Sequence, residues 1–115
     1  MISANNYRIV YVAVSSIDSA THLAKIIVSE HLAAKCNIIP NTISISSWAD
    51  TIAERHESLL IIKSSAELID RLINRISEIL SEEFPEIISV KFEEASSSYL
   101  ARLDVVLDTD NDNSN

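Results

Sequence analysis

The order of hydrophobic and polar residues predicts that the chain begins with a strand and a helix. An almost unbroken apolar run from Tyr7 to Val14 is typical of a strand buried on both faces. Ser15, Ser16 and Asp18 follow it, and all three are favourable residues for starting a helix. From Asp18 to Ala34, apolar residues recur every three or four positions, which indicates a helix with one buried face.

The middle of the chain predicts a long β-hairpin. Residues 37–47 alternate between two faces, and this alternation puts Ile39, Ile43 and Ile45 on the same one. The best candidate for the reversal is residues 47–50, after which residues 52–63 return as a second strand. Strands of about 11 residues at roughly 3.3 Å each would reach about 36 Å, so we expect the hairpin to project from the fold.

The second half of the chain predicts a helix, a strand and a short last helix. Ser64 and Glu67 have capping-box spacing, and the apolar residues that follow share one helical face. Residues 86–92 alternate again as a strand, and a serine at 96–98 can start the last helix. The order βαββαβ plus a terminal helix predicts an α+β, ferredoxin-like two-layer sandwich over residues 1–107. The acidic residues 108–115 are predicted to be a disordered tail.

The same pattern predicts that the subunit assembles with copies of itself. A two-layer fold leaves one face of its sheet open, yet the strands at residues 7–14 and 59–62 are apolar on both faces. A projecting hairpin with unpaired edges also needs a partner, and closed cyclic association is the usual solution. We therefore predict a homo-oligomer whose interface includes Ile43, Ile45 and, at the hairpin tip, Trp48.

Composition is consistent with a cytoplasmic domain that folds without disulfide bonds. The 115 residues are 47% hydrophobic, enough for a single core, and the one cysteine, Cys36, has no partner for an internal disulfide. No secretory signal pattern is present, which favours a reducing, cytoplasmic location. Apolar stretches fall short of the roughly 18 residues that a membrane-spanning helix needs, so no membrane association is expected.

Charge and glycine content exclude several classes of function. The net charge is -8 and the basic residues do not cluster, so nucleic acid is not an expected partner. The chain contains no glycine. Phosphate-binding P-loops, dinucleotide-binding GxGxxG turns and GxSxG nucleophile elbows all require glycine, so none of them can be present.

The candidate metal ligands do not converge in the predicted fold. His22 and His31 lie nine residues apart on one helix, which places them about 180° apart around its axis. The expected hairpin register pairs Cys36 near Lys63 and separates it from His56 by roughly 20 Å. Neither a metal-binding pair nor a Cys–His dyad is therefore predicted within one subunit. Two interpretations of Cys36 stay open: a small buried hydrophobic residue or a metal ligand.

Several segments resemble the CutA family of divalent-cation tolerance proteins. The segments are LAAKCNIIP (32–40), the turn at Trp48, ESLLIIKS (57–64), EFPEIISVKF (83–92) and Tyr99-Leu100, and the resemblance extends from about residue 7 to 107. It implies a ferredoxin-like homotrimer whose hairpins pair between subunits. It also implies a non-enzymatic role in the response to divalent metal ions, with Cu²⁺ or another divalent cation as the ligand and Cys36 as the candidate metal site.

Departures from the family pattern fall at the candidate ligands. The family typically reads Ala-Ala-Cys-Val-Asn where this chain has AAKCN (33–37), so the thiol lies one position later and Lys35 takes its usual place. In a strand, a shift of one position moves a side chain to the opposite face of the sheet. Leu80 stands where the family commonly has a histidine. The architecture is also similar to that of PII signalling proteins, so the alternative is a trimeric interaction or small-molecule-binding module without a direct metal role.

Overall fold

The computed structural model describes residues 1–81 and 85–107, and it has the predicted α+β architecture. The strands are β1 (Ile2–Ser3), β2 (Tyr7–Val14), β3 (Lys35–Trp48), β4 (Thr51–Ser65), β5 (Ile87–Lys91) and β6 (Glu94–Ala95). The helices are α1 (Ile17–Ser29), a 3-10 helix (Ala66–Leu68), α2 (Ile69–Leu80) and α3 (Ser97–Val106). The predicted tail at 108–115 lies outside the described residues.

The main sheet has the strand order β3-β4-β2-β5, and every neighbouring pair is antiparallel. This order is that of the split βαβ motif and confirms the ferredoxin-like prediction. The strands β1 and β6 form a separate small antiparallel pair that the sequence pattern did not predict. No helix within the described residues combines the length and the apolar character needed to cross a membrane.

The core lies between one face of the sheet and the two main helices. From Val10 in β2 and from Ser58 in β4, alternate residues are buried and the intervening ones are half-buried, so one face is covered and the other is partly open. The larger core side chains of these four elements are Val10, Val12, Val14, Leu23, Ile27, Leu60, Ile62, Leu72 and Ile76. The half-buried face carries Ile9, Tyr11 and Ile61, as the two-sided apolar pattern predicted.

The hairpin of β3 and β4 projects as expected, and the molecule extends 52 Å along its longest axis. The prediction that Ile39, Ile43 and Ile45 share one face is wrong. The register shifts between Ile39 and Thr42, so Ile39 pairs with Leu59 whereas Ile43 pairs with His56. This β-bulge adds one residue to β3 and moves Ile43 and Ile45 to the opposite face from Ile39.

The start of the second helical segment also differs from the prediction. Strand β4 continues to Ser65, and Ser64 is fully buried instead of capping a helix with Glu67. The Oγ of Ser64 donates a hydrogen bond to the carbonyl oxygen of Leu32 at 2.7 Å. The hydroxyl that the capping-box interpretation assigned to the helix therefore donates to a buried carbonyl oxygen instead.

Candidate functional site

Cys36 lies near the start of the edge strand β3, paired with Ile62 of β4 and half-buried. Burial raises the pKa of its thiol to about 11, although the charge of Lys63 partly opposes this shift. Metal binding and nucleophilic attack both use the thiolate, which is scarce at neutral pH when the pKa is that high. Cys36 alone is therefore neither an activated nucleophile nor a prepared metal ligand.

The surroundings of Cys36 are cationic. A shallow cleft of about 440 Å³ is lined by Ala24, Lys25, Val28, Ser29, Lys35 and Cys36. Lys63 is also near, and its Nζ donates a hydrogen bond to Asn37 Oδ1 at 3.1 Å. These lysines repel a cation and attract an anion, so the cleft is better suited to an acidic ligand than to a metal ion.

The three histidines lie in separate parts of the molecule. His22 lines a cavity of about 90 Å³ together with Ile79 and Leu80. The Nδ1 of His31 lies 3.0 Å from the carbonyl oxygen of Val106, and His56 is paired with Ile43 on the hairpin. Across residues 1–81 and 85–107, no three histidine, cysteine or acidic side chains group as a metal site.

The predicted interface residues are highly exposed on the hairpin. Ile43, Ile45 and Trp48 are 61%, 68% and 80% accessible, respectively. Ile52, which the sequence interpretation did not single out, is 71% accessible and pairs with Ser47. The register places Ile43, Ile45 and Ile52 on one face of the hairpin and Trp48 on the other. The arm thus presents apolar side chains on both faces.

A further cavity, of about 500 Å³, lies beside the C-terminal helix and was not predicted from the sequence. It brings together residues from both ends of the chain, because the hydroxyl of Tyr7 donates a hydrogen bond to Asp104 Oδ1 at 2.5 Å. Burial and the neighbouring Asp104 raise the pKa of Tyr7 to about 12. No local motif connects residues so far apart in the chain, so only the fold reveals this site.

Comparison with known proteins agrees with the fold. The family described as CutA1 divalent ion tolerance protein matches residues 8–104. The crystal structure of CutA1 from Oryza sativa superposes with a TM-score of 0.87 at 30% sequence identity, and the match covers 91% of this chain and 96% of that one.

Relatives from bacteria and plants show the same similarity. A Thermus thermophilus protein named divalent-cation tolerance protein CutA is 33% identical over 93 residues, which are 81% of this chain and 90% of that protein. An Arabidopsis thaliana protein named CutA, chloroplastic, is 34% identical over 92 residues. That match covers 80% of this chain but 50% of the plant protein, so the chain spans about half of that relative's length. The extent of these matches and the shared fold show that this chain belongs to the CutA1 divalent ion tolerance protein family.

Proposed function

We propose that this protein is a cytoplasmic, non-enzymatic homotrimer that takes part in the response to divalent metal ions. Family membership supports the metal-related role, since the Thermus thermophilus relative is named for divalent-cation tolerance. The apolar surface of the hairpin supports the assembly, and it is the single observation on which the proposal mainly rests.

The hairpin surface requires a partner for a physical reason. Burying one large aliphatic or aromatic side chain contributes about 1.5–3 kcal/mol, and Ile43, Ile45, Trp48 and Ile52 are all left exposed in one subunit. The edges of the sheet add to this demand, because β3 and β5 each have a neighbour on one side only in the described chain. Joining the β3 edge of one copy to the β5 edge of the next is a head-to-tail contact, which forms a ring when the rotation between successive copies closes. The family resemblance implies that the ring has three members.

Light scattering combined with size-exclusion chromatography tests the assembly. We expect the wild-type mass to be three times the subunit mass. Ile45→Lys should weaken association by at least about 2 kcal/mol for each buried site. Val105→Lys is the matched control, because Val105 is 85% accessible and belongs to α3, not to the hairpin. A wild-type protein that stays a folded monomer would refute the homotrimer.

The proposal also names a specific metal and ligand, copper bound through Cys36. Within one described subunit the half-buried thiol has lysines beside it and no second soft ligand, so it does not form a copper site alone. A Cys36 site therefore requires a donor from another subunit. Titration with Cu²⁺ tests this: Cys36→Ser should reduce Cu²⁺ affinity, and equal affinity in both proteins would remove Cys36 from the site.

The cleft beside Cys36 favours a second candidate function, a PII-like module that binds a small molecule or protein between subunits. Lys25 and Lys35 provide positive charge next to the β3 edge, so the expected ligand is an anion. A thermal-shift screen of small carboxylates and phosphates tests this alternative, since a specific ligand raises the melting temperature with its concentration. Lys25→Gln combined with Lys35→Gln should abolish the shift.

A further inference from the structure

A cleft between the edge strand β3 and the helix α3 is positively charged. Its volume is about 230 Å³, and its lining residues are Ala34, Lys35, Tyr99, Arg102, Leu103 and Val106. Lys35 is the first residue of β3, and Arg102 belongs to α3, so the fold brings together two cations that are distant in the sequence. None of these lining residues is acidic, and the cleft therefore attracts anions.

The described part of the protein does not neutralise the two cations. Neither the Lys35 nor the Arg102 side chain makes an ion pair or a hydrogen bond with any described residue. Asp104 lies on the same helix as Arg102, but its Oδ1 accepts a hydrogen bond from the hydroxyl of Tyr7 instead. The chain has 17 acidic and 9 basic residues, so a cleft whose cations have no carboxylate beside them is unusual within this protein.

A pair of lysines that face each other across the sheet independently favours an anion. Lys35 of β3 lies directly opposite Lys63 of β4. Like charges in directly opposite positions on neighbouring strands repel each other and destabilise the sheet. The Nζ of Lys63 donates a hydrogen bond to Asn37 Oδ1, but an amide oxygen carries no net charge that could balance the two lysines. An anion bound at Lys35 would reduce this repulsion.

The hydrogen-bonding groups of the cleft are mainly donors. The guanidinium of Arg102 has a planar fork of donors that matches two oxygens of a carboxylate or phosphate, and the ammonium of Lys35 adds three more. The hydroxyl of Tyr99 has no partner among the described residues and can also donate. The carbonyl oxygen of Val106 already accepts a hydrogen bond from His31 Nδ1 at 3.0 Å. A ligand in this cleft must therefore supply acceptors.

Charge, donors and size together define the chemistry of the ligand. A volume of about 230 Å³ is smaller than the roughly 300–1,000 Å³ of pockets that hold drug-sized molecules, so the ligand must be small. We propose that this cleft binds a small multivalent oxyanion, a phosphate or a dicarboxylate, through Lys35, Tyr99 and Arg102. The site rests on the proposed function in that it shares Lys35 with the anion-binding alternative, but it requires neither Lys25 nor Cys36.

Isothermal titration calorimetry of the full chain with inorganic phosphate and, separately, with succinate tests the proposal. We expect one anion to bind per chain, and the tighter of the two identifies the ligand class. Arg102→Gln should weaken binding by about tenfold or more, because it removes charge-assisted hydrogen bonds to the anion. Arg102→Lys should weaken it less, because it keeps the charge and loses only the fork. Arg102 is exposed, so both variants should fold, which circular dichroism verifies.

Two control variants distinguish this site from anion binding elsewhere on the chain. Arg55→Gln removes the same charge from the hairpin and should leave the affinity unchanged. Equal weakening in Arg55→Gln and Arg102→Gln would indicate a general effect of net charge and would overturn the site. Lys25→Gln should also bind as the wild type does, because Lys25 lines the cleft beside Cys36 and not this one.

The remaining outcomes separate this site from the proposed function. Loss of binding in Lys25→Gln but not in Arg102→Gln would move the anion to the cleft beside Cys36. That result would overturn this site and leave the anion-binding alternative standing. If the wild type bound neither phosphate nor succinate, the site and the anion-binding alternative would both fall, whereas the homotrimer and copper proposals would stand.

Discussion

At the scale of single residues, the lack of glycine has a structural consequence at the turns. The described residues with a positive φ are His31, Asn41, Ala49, Asp50 and Ser81. For an L-residue the left-handed region costs about 1–2 kcal/mol, which asparagine and aspartate partly recover through local hydrogen bonds. Ala49, at φ 51° in the hairpin turn, has no polar side chain to make such a bond. It is the turn residue least suited to its conformation.

Replacing Ala49 with glycine should therefore stabilise the protein. Relief of the left-handed conformation is partly offset by the larger conformational entropy of glycine in the unfolded chain, about 0.4–1 kcal/mol. We expect a net gain of about 0.5–1 kcal/mol, measured by urea denaturation. Ala53→Gly is the control, because Ala53 lies in the regular part of β4, where glycine should lower stability. Equal effects of both substitutions would contradict the strain at Ala49.

Cys36 should be a slow thiol in the folded protein. Its pKa is raised from 9.0 to about 11 by burial, so at neutral pH its thiolate fraction should be about 100-fold below that of an exposed cysteine. Alkylation by iodoacetamide should be correspondingly slow and should speed up as pH approaches 11. The same chain unfolded in urea is the control and should react at the ordinary rate. Similar rates in both states would show that burial does not protect the thiol.

The same shift determines a pH dependence of stability. Because the folded state raises the pKa, it holds the thiol proton more tightly than the unfolded chain does. The contribution of Cys36 to the free energy of unfolding is therefore fully present below about pH 9 and is lost as pH rises through about 11. Cys36→Ser should remove this alkaline decline from the unfolding curves.

At the scale of the elements, two adjacent serines at the end of β4 should respond oppositely to substitution. Ser64 joins β4 to the segment after α1 through the Leu32 carbonyl, whereas Ser65 Oγ has no partner among the described residues. Ser64→Ala should cost about 1–3 kcal/mol because it leaves a buried carbonyl unsatisfied. Ser65→Ala should be neutral or slightly stabilising, because it removes a buried hydroxyl that has no partner among the described residues. Thermal unfolding of both variants measures the difference.

The sequence pattern predicted regular elements well and irregular ones poorly. Strand β2 has the predicted bounds, and Ser16 and Ser96 cap α1 and α3 through their side chains. The bulge between Ile39 and Thr42 was missed, because alternation is counted along one strand whereas a bulge depends on the pairing of two. Prediction therefore succeeded where periodicity and local capping decide the structure, and failed where the partner strand decides it.

The candidate sites also differ in how far they could be predicted from the sequence. The exposure of Ile43, Ile45 and Trp48 followed from apolar residues on an arm too long to be covered by its own helices. The cavity beside the C-terminal helix could not be predicted, since Tyr7 and Asp104 are far apart in the chain and come into contact only in the folded structure. Contacts between distant segments carry no periodic signal in the sequence.

At the scale of the whole molecule, the proposed homotrimer would have to overcome electrostatic repulsion between its subunits. Each subunit carries a net charge of -8, and bringing copies together concentrates that charge. In that assembly the apolar hairpin surface would provide the attraction, which salt does not screen. The balance between these two forces should therefore shift with ionic strength.

Raising the salt concentration should tighten the assembly. The screening length falls from about 30 Å at 0.01 M to about 10 Å at 0.1 M, so repulsion between neighbouring acidic subunits weakens while burial of Ile43, Ile45 and Trp48 is unaffected. Light scattering on a dilution series at both salt concentrations measures the protein concentration at half-dissociation, which should be lower at the higher salt concentration. Ile45→Lys, which damages the apolar contact itself, should remain weakly associated at both concentrations. If salt instead promoted dissociation of the wild type, ion pairs between subunits, and not the apolar surface of the hairpin, would be the main source of cohesion.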